Sequence, residues 1–176
     1  MLLYLFALQE CGEAVVGQNP IPAGVQYFPA RVPYVSADGR LTEEELEKAR
    51  SKNLIRKGLL LRDETVLQAM EPGENPKRLC YSTKKDGTVT GDLADREQLR
   101  LLKAYLMKTL EKMVDEIASG AVDPNPYTRG TVHSACSYCP YSGVCREQKE
   151  AGRRNYKTMD AQRFWDEIGK EMERHG

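Results

Sequence analysis

Three of the five cysteines in this chain fall within ten residues, in the run Cys136-Ser137-Tyr138-Cys139-Pro140-Tyr141-Ser142-Gly143-Val144-Cys145. No other feature constrains the fold as tightly. Thiolates at i and i+3 on a tight loop grip one metal ion or one corner of a cluster. A third thiolate, six residues later, returns to the same centre if the chain turns between them, and Pro140 and Gly143 supply a turn. Soft thiolates favour zinc or an iron–sulfur cluster over magnesium or calcium. A structural centre of either kind takes four protein ligands, and only three are clustered here. His133, three residues before Cys136, is a candidate fourth ligand in a Cys3His zinc set; the alternative is a solvated loop histidine. Buried thiols without a metal are the plainer alternative for the whole cluster. Cys11 and Cys80 stand alone and read as small apolar packing residues.

Composition bounds the class. The 176 residues make one ordinary domain with one core, and 40% apolar with 30% charged residues is a soluble globular balance. Lys plus Arg and Asp plus Glu both number 26, for a formal net charge of +0. That excludes a nucleic-acid binder driven by bulk charge and leaves room only for a local basic patch. No apolar run reaches the roughly 18–20 residues that span a bilayer. The apolar start, Met1 to Leu8, lacks the basic segment and cleavage site of a signal peptide. An odd cysteine count without a leader argues against a disulfide framework.

Patterning predicts a mixed α/β chain. The dense run Leu2, Leu3, Leu5, Phe6 and Leu8 predicts a helix that stops near Gly12. It starts without an N-cap, so the chain is expected to be a piece of a longer protein. Val25 to Val35 alternates β-branched and aromatic residues and predicts a strand, on an edge or interrupted because of Pro29 and Pro33. Thr42 with Glu45 forms a capping box for a helix to about Ser51. Leu59 to Leu61 is a short apolar segment. Asp63 caps a helix through Met70, stopped by Pro72-Gly73. Leu79 to Ser82 predicts a second strand before the Lys84-Gly87 turn. Leu99, Leu102, Leu106, Leu110, Met113 and Ile117 form the stripe of the longest helix, from Asp95 to Gly120, and such a stripe predicts core packing. A short terminal helix carries Phe164, Trp165 and Ile168.

Several chemistries lack their residues. There is no Walker-type phosphate loop, no His-Glu-x-x-His, and only two histidines. A magnesium nuclease needs carboxylates and a lysine converging on one phosphate, and no predicted strand ends in such a pattern. Glu43, Glu44 and Glu45 belong to a helix first turn, where negative charge suits the helix dipole. Arg129, Arg146, Arg153, Arg154 and Lys157 are candidates for DNA phosphate contact or for a solvated charged tail.

The blocks Tyr127-Thr128-Arg129-Gly130 and Cys136 to Cys145 resemble the C-terminal end of AddB-type subunits of the bacterial ATP-dependent helicase–nuclease. So do Leu2-Leu3-Tyr4-Leu5, Pro22 to Phe28, Lys57-Gly58-Leu59 and Ile117 to Gly120. The cysteine spacing is shared with other iron–sulfur nucleases, including the Cas4-like type, and the flanking blocks favour AddB. The resemblance implies a partial restriction-endonuclease-like (PD-(D/E)XK) α/β fold, helix-rich, with a C-terminal cysteine-rich metal loop. It implies three segments: residues 1–120 as the end of the nuclease core with a helical insertion, 121–147 as the cluster loop, and 148–176 as a tail.

It also implies a [4Fe–4S] cluster held by Cys136, Cys139, Cys145 and a fourth cysteine upstream of this chain. Tyr4 matches the tyrosine of a Gln-x-x-x-Tyr nuclease motif whose glutamine would precede Met1. The magnesium-binding Asp and Glu-x-Lys motifs also lie upstream. The expected role is therefore structural and cluster-binding within a subunit that processes DNA ends in double-strand break repair. Its partners would be DNA and an AddA-type helicase subunit, with no membrane, in the cytoplasm. The isolated chain is expected to be inactive as a nuclease, to hold zinc or no metal, and to self-associate. A zinc-stapled interaction module is the alternative from another class.

Overall fold

The computed structural model describes residues 1–31, 34–73, 76–123, 125–129, 133–141, 144, 154–156 and 158–174, with His133 by its backbone only. Among them are six α-helices and three small sheets, and the chain divides into two compact units, Met1–Lys103 and Ala104–Gly176. No helix among the described residues is long and apolar enough to cross a membrane.

In the first unit, α1 spans Leu2–Cys11 and α2 spans Glu13–Val16. α1 buries Phe6, which lines a cleft of about 270 Å³ together with Leu61 and Leu99. Lys103 holds the end of α1 by donating to Gln9 at 3.3 Å and pairing with Glu10. Strand β1, Gly24–Tyr27, pairs antiparallel with β2, Lys57–Leu61. β2 pairs parallel with β5, Leu93–Ala94, which makes the order β1-β2-β5. At Gly24 the φ is +134°, and a Cβ would sit 2.3 Å from the Leu59 carbonyl oxygen. Only glycine lets the two strands approach at this point.

The strand expected over Val25–Val35 ends at Tyr27. Pro29 cannot donate to a ladder, and β1 lies at the outer side of its sheet, where such a stop is tolerated. Val32 and Pro33 lie outside the described residues. The strand expected at Leu79–Ser82 is β3, Tyr81–Thr83, half of a hairpin with β4, Val89–Gly91.

Three helix starts follow local chemistry. Thr42 and Glu45 make the reciprocal capping box of α3, Glu43–Asn53. The Asp63 carboxylate accepts from the Thr65 and Val66 N–H groups at the start of α4, Glu64–Met70. Asp95 and Gln98 exchange two bonds, at 2.8 and 2.9 Å, before α5, Arg96–Ala118. The core of the first unit gathers Leu60, Leu67, Leu79, Tyr81 and Leu93, with Cys80 and Val89 packed against it.

α5 runs 23 residues and ends in a Schellman-type turn. Ala121 N–H donates to the Glu116 carbonyl and Gly120 N–H to that of Ile117, with Gly120 at φ +73°. Its apolar stripe departs from expectation. Leu99 and Leu102 are buried, but Met113 and Ile117 are exposed. The periodicity marks an amphipathic face, and burial of such a face depends on what packs against it, which periodicity does not encode.

In the second unit, β6 (Tyr127–Arg129) is the middle strand between β7 (His133–Ser134) and β8 (Arg154–Asn155). A 3-10 turn, Ala135–Tyr138, follows β7 directly. The terminal helix α6, Ala161–Glu173, is capped by Asp160 and buries Ile168.

Candidate functional site

The thiol turn is built from β7 outward. Ser134 ends the strand, and its hydroxyl oxygen accepts from the Cys136 N–H at 3.2 Å. The Cys139 N–H then donates to the Cys136 carbonyl at 3.2 Å, so the two cysteines are the ends of a single turn. Cys136 and Cys139 are half-buried free thiols, while Ala135, Ser137 and Tyr138 are exposed. Two unbridged thiols on one tight turn fit two corners of a thiolate-held zinc or iron–sulfur centre. Cys145 lies outside the described residues. The His133 backbone sits on β7, paired with Arg129, rather than in a loop. No group of three His, Cys, Asp or Glu side chains converges as a metal site among the described residues.

The isolated cysteines differ from the pair. The Cys80 Sγ–H donates to the Gly58 carbonyl at 3.6 Å inside the first unit. Burial pushes the Cys80 thiol above its ordinary range, and the Asp92 carboxylate adds to the shift. Cys11, at the end of α1, is exposed. Tyr4 lies on α1 in the first unit and is 72% exposed.

One arrangement was not legible in the sequence. The β6–β8 register sets Tyr127 opposite Arg154 and Thr128 opposite Asn155. The Tyr156 N–H continues the ladder to the Thr128 carbonyl at 2.9 Å. Alternation then puts Tyr127, Arg129, Arg154 and Tyr156 on one face of the sheet. Tyr127 and Tyr156 stack with ring centroids 5.1 Å apart, and the Arg154 guanidinium lies 4.0 Å from the Tyr127 ring centroid. Thr128, on the other face, is buried and donates to Asn155 Oδ1 at 2.7 Å. Of the basic residues singled out in the tail, Arg129 and Arg154 are exposed; Arg146, Arg153 and Lys157 lie outside the described residues.

The described chain is thus a mixed α/β one, with small sheets, one 23-residue helix and a thiol turn. The sequence model of the PD-(D/E)XK nuclease superfamily matches residues 1–146, and the chain belongs to that superfamily. More particularly, it is similar to the B-type subunits of bacterial ATP-dependent helicase/deoxyribonucleases. That of Acetivibrio thermocellus is 37% identical over 164 residues, which cover 90% of this chain and 14% of that protein. That of Thermoanaerobacter sp. (strain X514) is 31% identical over 183 residues, 100% of this chain and 16% of that protein. That of Desulforamulus reducens is 35% identical over 150 residues, 83% of this chain and 13% of that protein. The chain thus spans 13–16% of the length of these relatives.

Proposed function

We propose that this chain is the cluster-holding segment of a helicase–nuclease subunit that processes DNA ends in double-strand break repair by recombination. The observation that carries the reading is similarity to the B-type helicase/deoxyribonuclease subunits, which extends over 90% of the chain in the Acetivibrio thermocellus protein. The paired thiols of Cys136 and Cys139 add chemical support. Together with Cys145 they would hold three corners of a [4Fe–4S] cluster, with the fourth ligand outside this chain. Such a cluster ties distant parts of the chain together and restricts the unfolded state as a disulfide does.

Magnesium-dependent cleavage would use carboxylates and a lysine contributed from elsewhere in the subunit, so the isolated chain does not cut DNA. Tyr4 would join that site from α1. The partners are DNA and an AddA-type helicase subunit, and the setting is the bacterial cytoplasm.

The test is metal analysis of the 176-residue chain prepared without oxygen. Iron with sulfide and absorbance near roughly 400 nm, where thiolate-to-iron charge transfer falls, is the expected result. Cys139→Ala should remove both. Zinc in place of iron under these conditions, or iron that survives loss of the cysteines, would overturn the reading. Incubation with linear DNA and magnesium should leave the DNA intact.

A further inference from the structure

We propose that the exposed face of the β7-β6-β8 sheet binds single-stranded DNA, with the Tyr156 ring stacking on a base and Arg129 and Arg154 meeting the phosphates. The proposal rests on the reading above that the chain works in a DNA-processing subunit. What it adds is a place on the molecule and the form of DNA bound there.

Tyr156 is 60% exposed and Tyr127 48%, although both are large rings that gain by burial. They are nonetheless held in order. Strand register sets Arg154 opposite Tyr127 and puts Tyr156 on the same face, diagonal to Tyr127; the two rings stack, and the Arg154 guanidinium lies against Tyr127. Arg154 is itself tethered, because its Nε–H donates to the Asn125 carbonyl at 3.0 Å. That bond uses one of the five N–H donors of a guanidinium. The result is an ordered array of guanidinium and two rings, fixed before any ligand arrives, so little side-chain entropy is lost on binding.

Charge selects the occupant. Arg129 and Arg154 share this face with the two rings, and no acidic residue occupies the described face positions of β6 and β8. Cations interleaved with exposed rings match the alternation of phosphate and base along a single strand. In a duplex the base faces are already stacked on one another, and an exposed tyrosine finds only sugar and phosphate. Thr128 and Asn155, bonded on the opposite face, keep the two strands in register beneath the array.

The test uses the 176-residue chain, a fluorescein-labelled oligothymidylate of about 15 nucleotides, and a duplex of equal length, read by anisotropy. The single strand should bind more tightly than the duplex. Tyr156→Ser should weaken single-strand binding by about 5- to 150-fold, the range for loss of one stacked base. Tyr156→Phe should bind like the parent, since the ring and not the hydroxyl does the stacking. Arg129→Gln and Arg154→Gln should each reduce the salt dependence by about one phosphate contact.

A photoreactive 5-iododeoxyuridine strand should cross-link to Tyr156, which tests the same contact in the unaltered chain. Duplex binding as tight as single-strand binding, indifference to Tyr156→Ser, or cross-links confined to the first unit would overturn the proposal. Iron content is read on the same preparations. Iron present with no binding of the single strand sinks this surface alone, whereas absence of iron from the parent chain counts against the functional reading itself.

Discussion

Arg96 donates to the Asp63 carboxylate at 3.1 Å across 33 residues of sequence. The same carboxylate caps α4, so one side chain ties the start of α4 to the start of α5. The Arg96 hydrogen bond, and next that from the Val66 N–H, hold the Asp63 carboxyl below its ordinary value of 3.8. A carboxylate with a depressed folded-state pKa stabilises the fold above its unfolded-state value, and loses that contribution as pH falls through the folded value. Asp63→Asn should therefore lower the melting temperature near neutral pH and leave it closer to the parent's below the folded-state pKa. Equal melting temperatures at neutral pH would show that the Asp63 charge and its ion pair contribute nothing, since asparagine still offers an oxygen to cap α4.

The first unit depends on a small core, and Leu60 is its most enclosed aliphatic side chain at 0% exposure. Leu60→Ala should cost about 2–5 kcal/mol, the usual range for truncating a buried leucine. Denaturant unfolding measures it through the midpoint, with an unchanged slope if the native state stays compact. A loss no larger than that for an exposed leucine such as Leu3 would place the core elsewhere.

Local chemistry carried well from sequence to structure, and pairing at a distance did not. The capping box of Thr42 and Glu45 and the cap at Asp63 are read from residues three or fewer apart, and both appear as written. Strands β4, β5, β6 and β8 have two or three residues each, too few for alternation to register. Their existence depends on partners, as when Arg154 meets Tyr127. Val25–Val35 erred the other way, since aromatic and β-branched content continued past the proline that ends the ladder. The Leu99–Ile117 stripe was legible as an amphipathic helix, but periodicity carries no information about what covers the face. In the candidate metal centre, the cysteine spacing was visible in sequence; the Ser134 bond that shapes the turn was not.

Thiol chemistry should separate the two isolated cysteines. Cys11 is exposed, whereas Cys80 is packed against the core with its thiol raised by burial. The thiolate is the reactive form, so alkylation at pH 8 should modify Cys11 quickly and Cys80 only slowly or on unfolding. Mass spectrometry of timed digests reads the order. Faster reaction at Cys80 would mean that its cluster opens readily.

The first unit also exposes Leu3, Leu8, Val15, Val16, Tyr27 and Phe28, and β1 is an outer strand of its sheet. Unpaired strand edges and exposed apolar side chains promote association. We expect the isolated chain to self-associate, with a light-scattering mass that rises with concentration. Replacing Val15 and Phe28 by serine should lower that mass. A strictly monomeric parent chain at high concentration would show that these side chains are tolerated in water.

The proposed cluster should be short-lived in air. Cys136 and Cys139 end one turn, and Cys145 is the next thiol along the chain. Cys80 is an unfit fourth ligand, because its thiol is packed against the core and bonded to the Gly58 carbonyl. A [4Fe–4S] cluster held by three cysteines leaves one iron open to water and oxidant. Iron should then be abundant in chain prepared without oxygen and fall away on exposure to air. Cys80→Ser should leave the anaerobic iron content unchanged, while Cys136→Ser should abolish it. After aerobic preparation zinc should be the commoner metal, since three thiolates with water or an imidazole satisfy its tetrahedral preference. Near-stoichiometric iron that persists through aerobic purification would demonstrate a fourth ligand within these 176 residues, and the assignment of that ligand to another part of the subunit would fall.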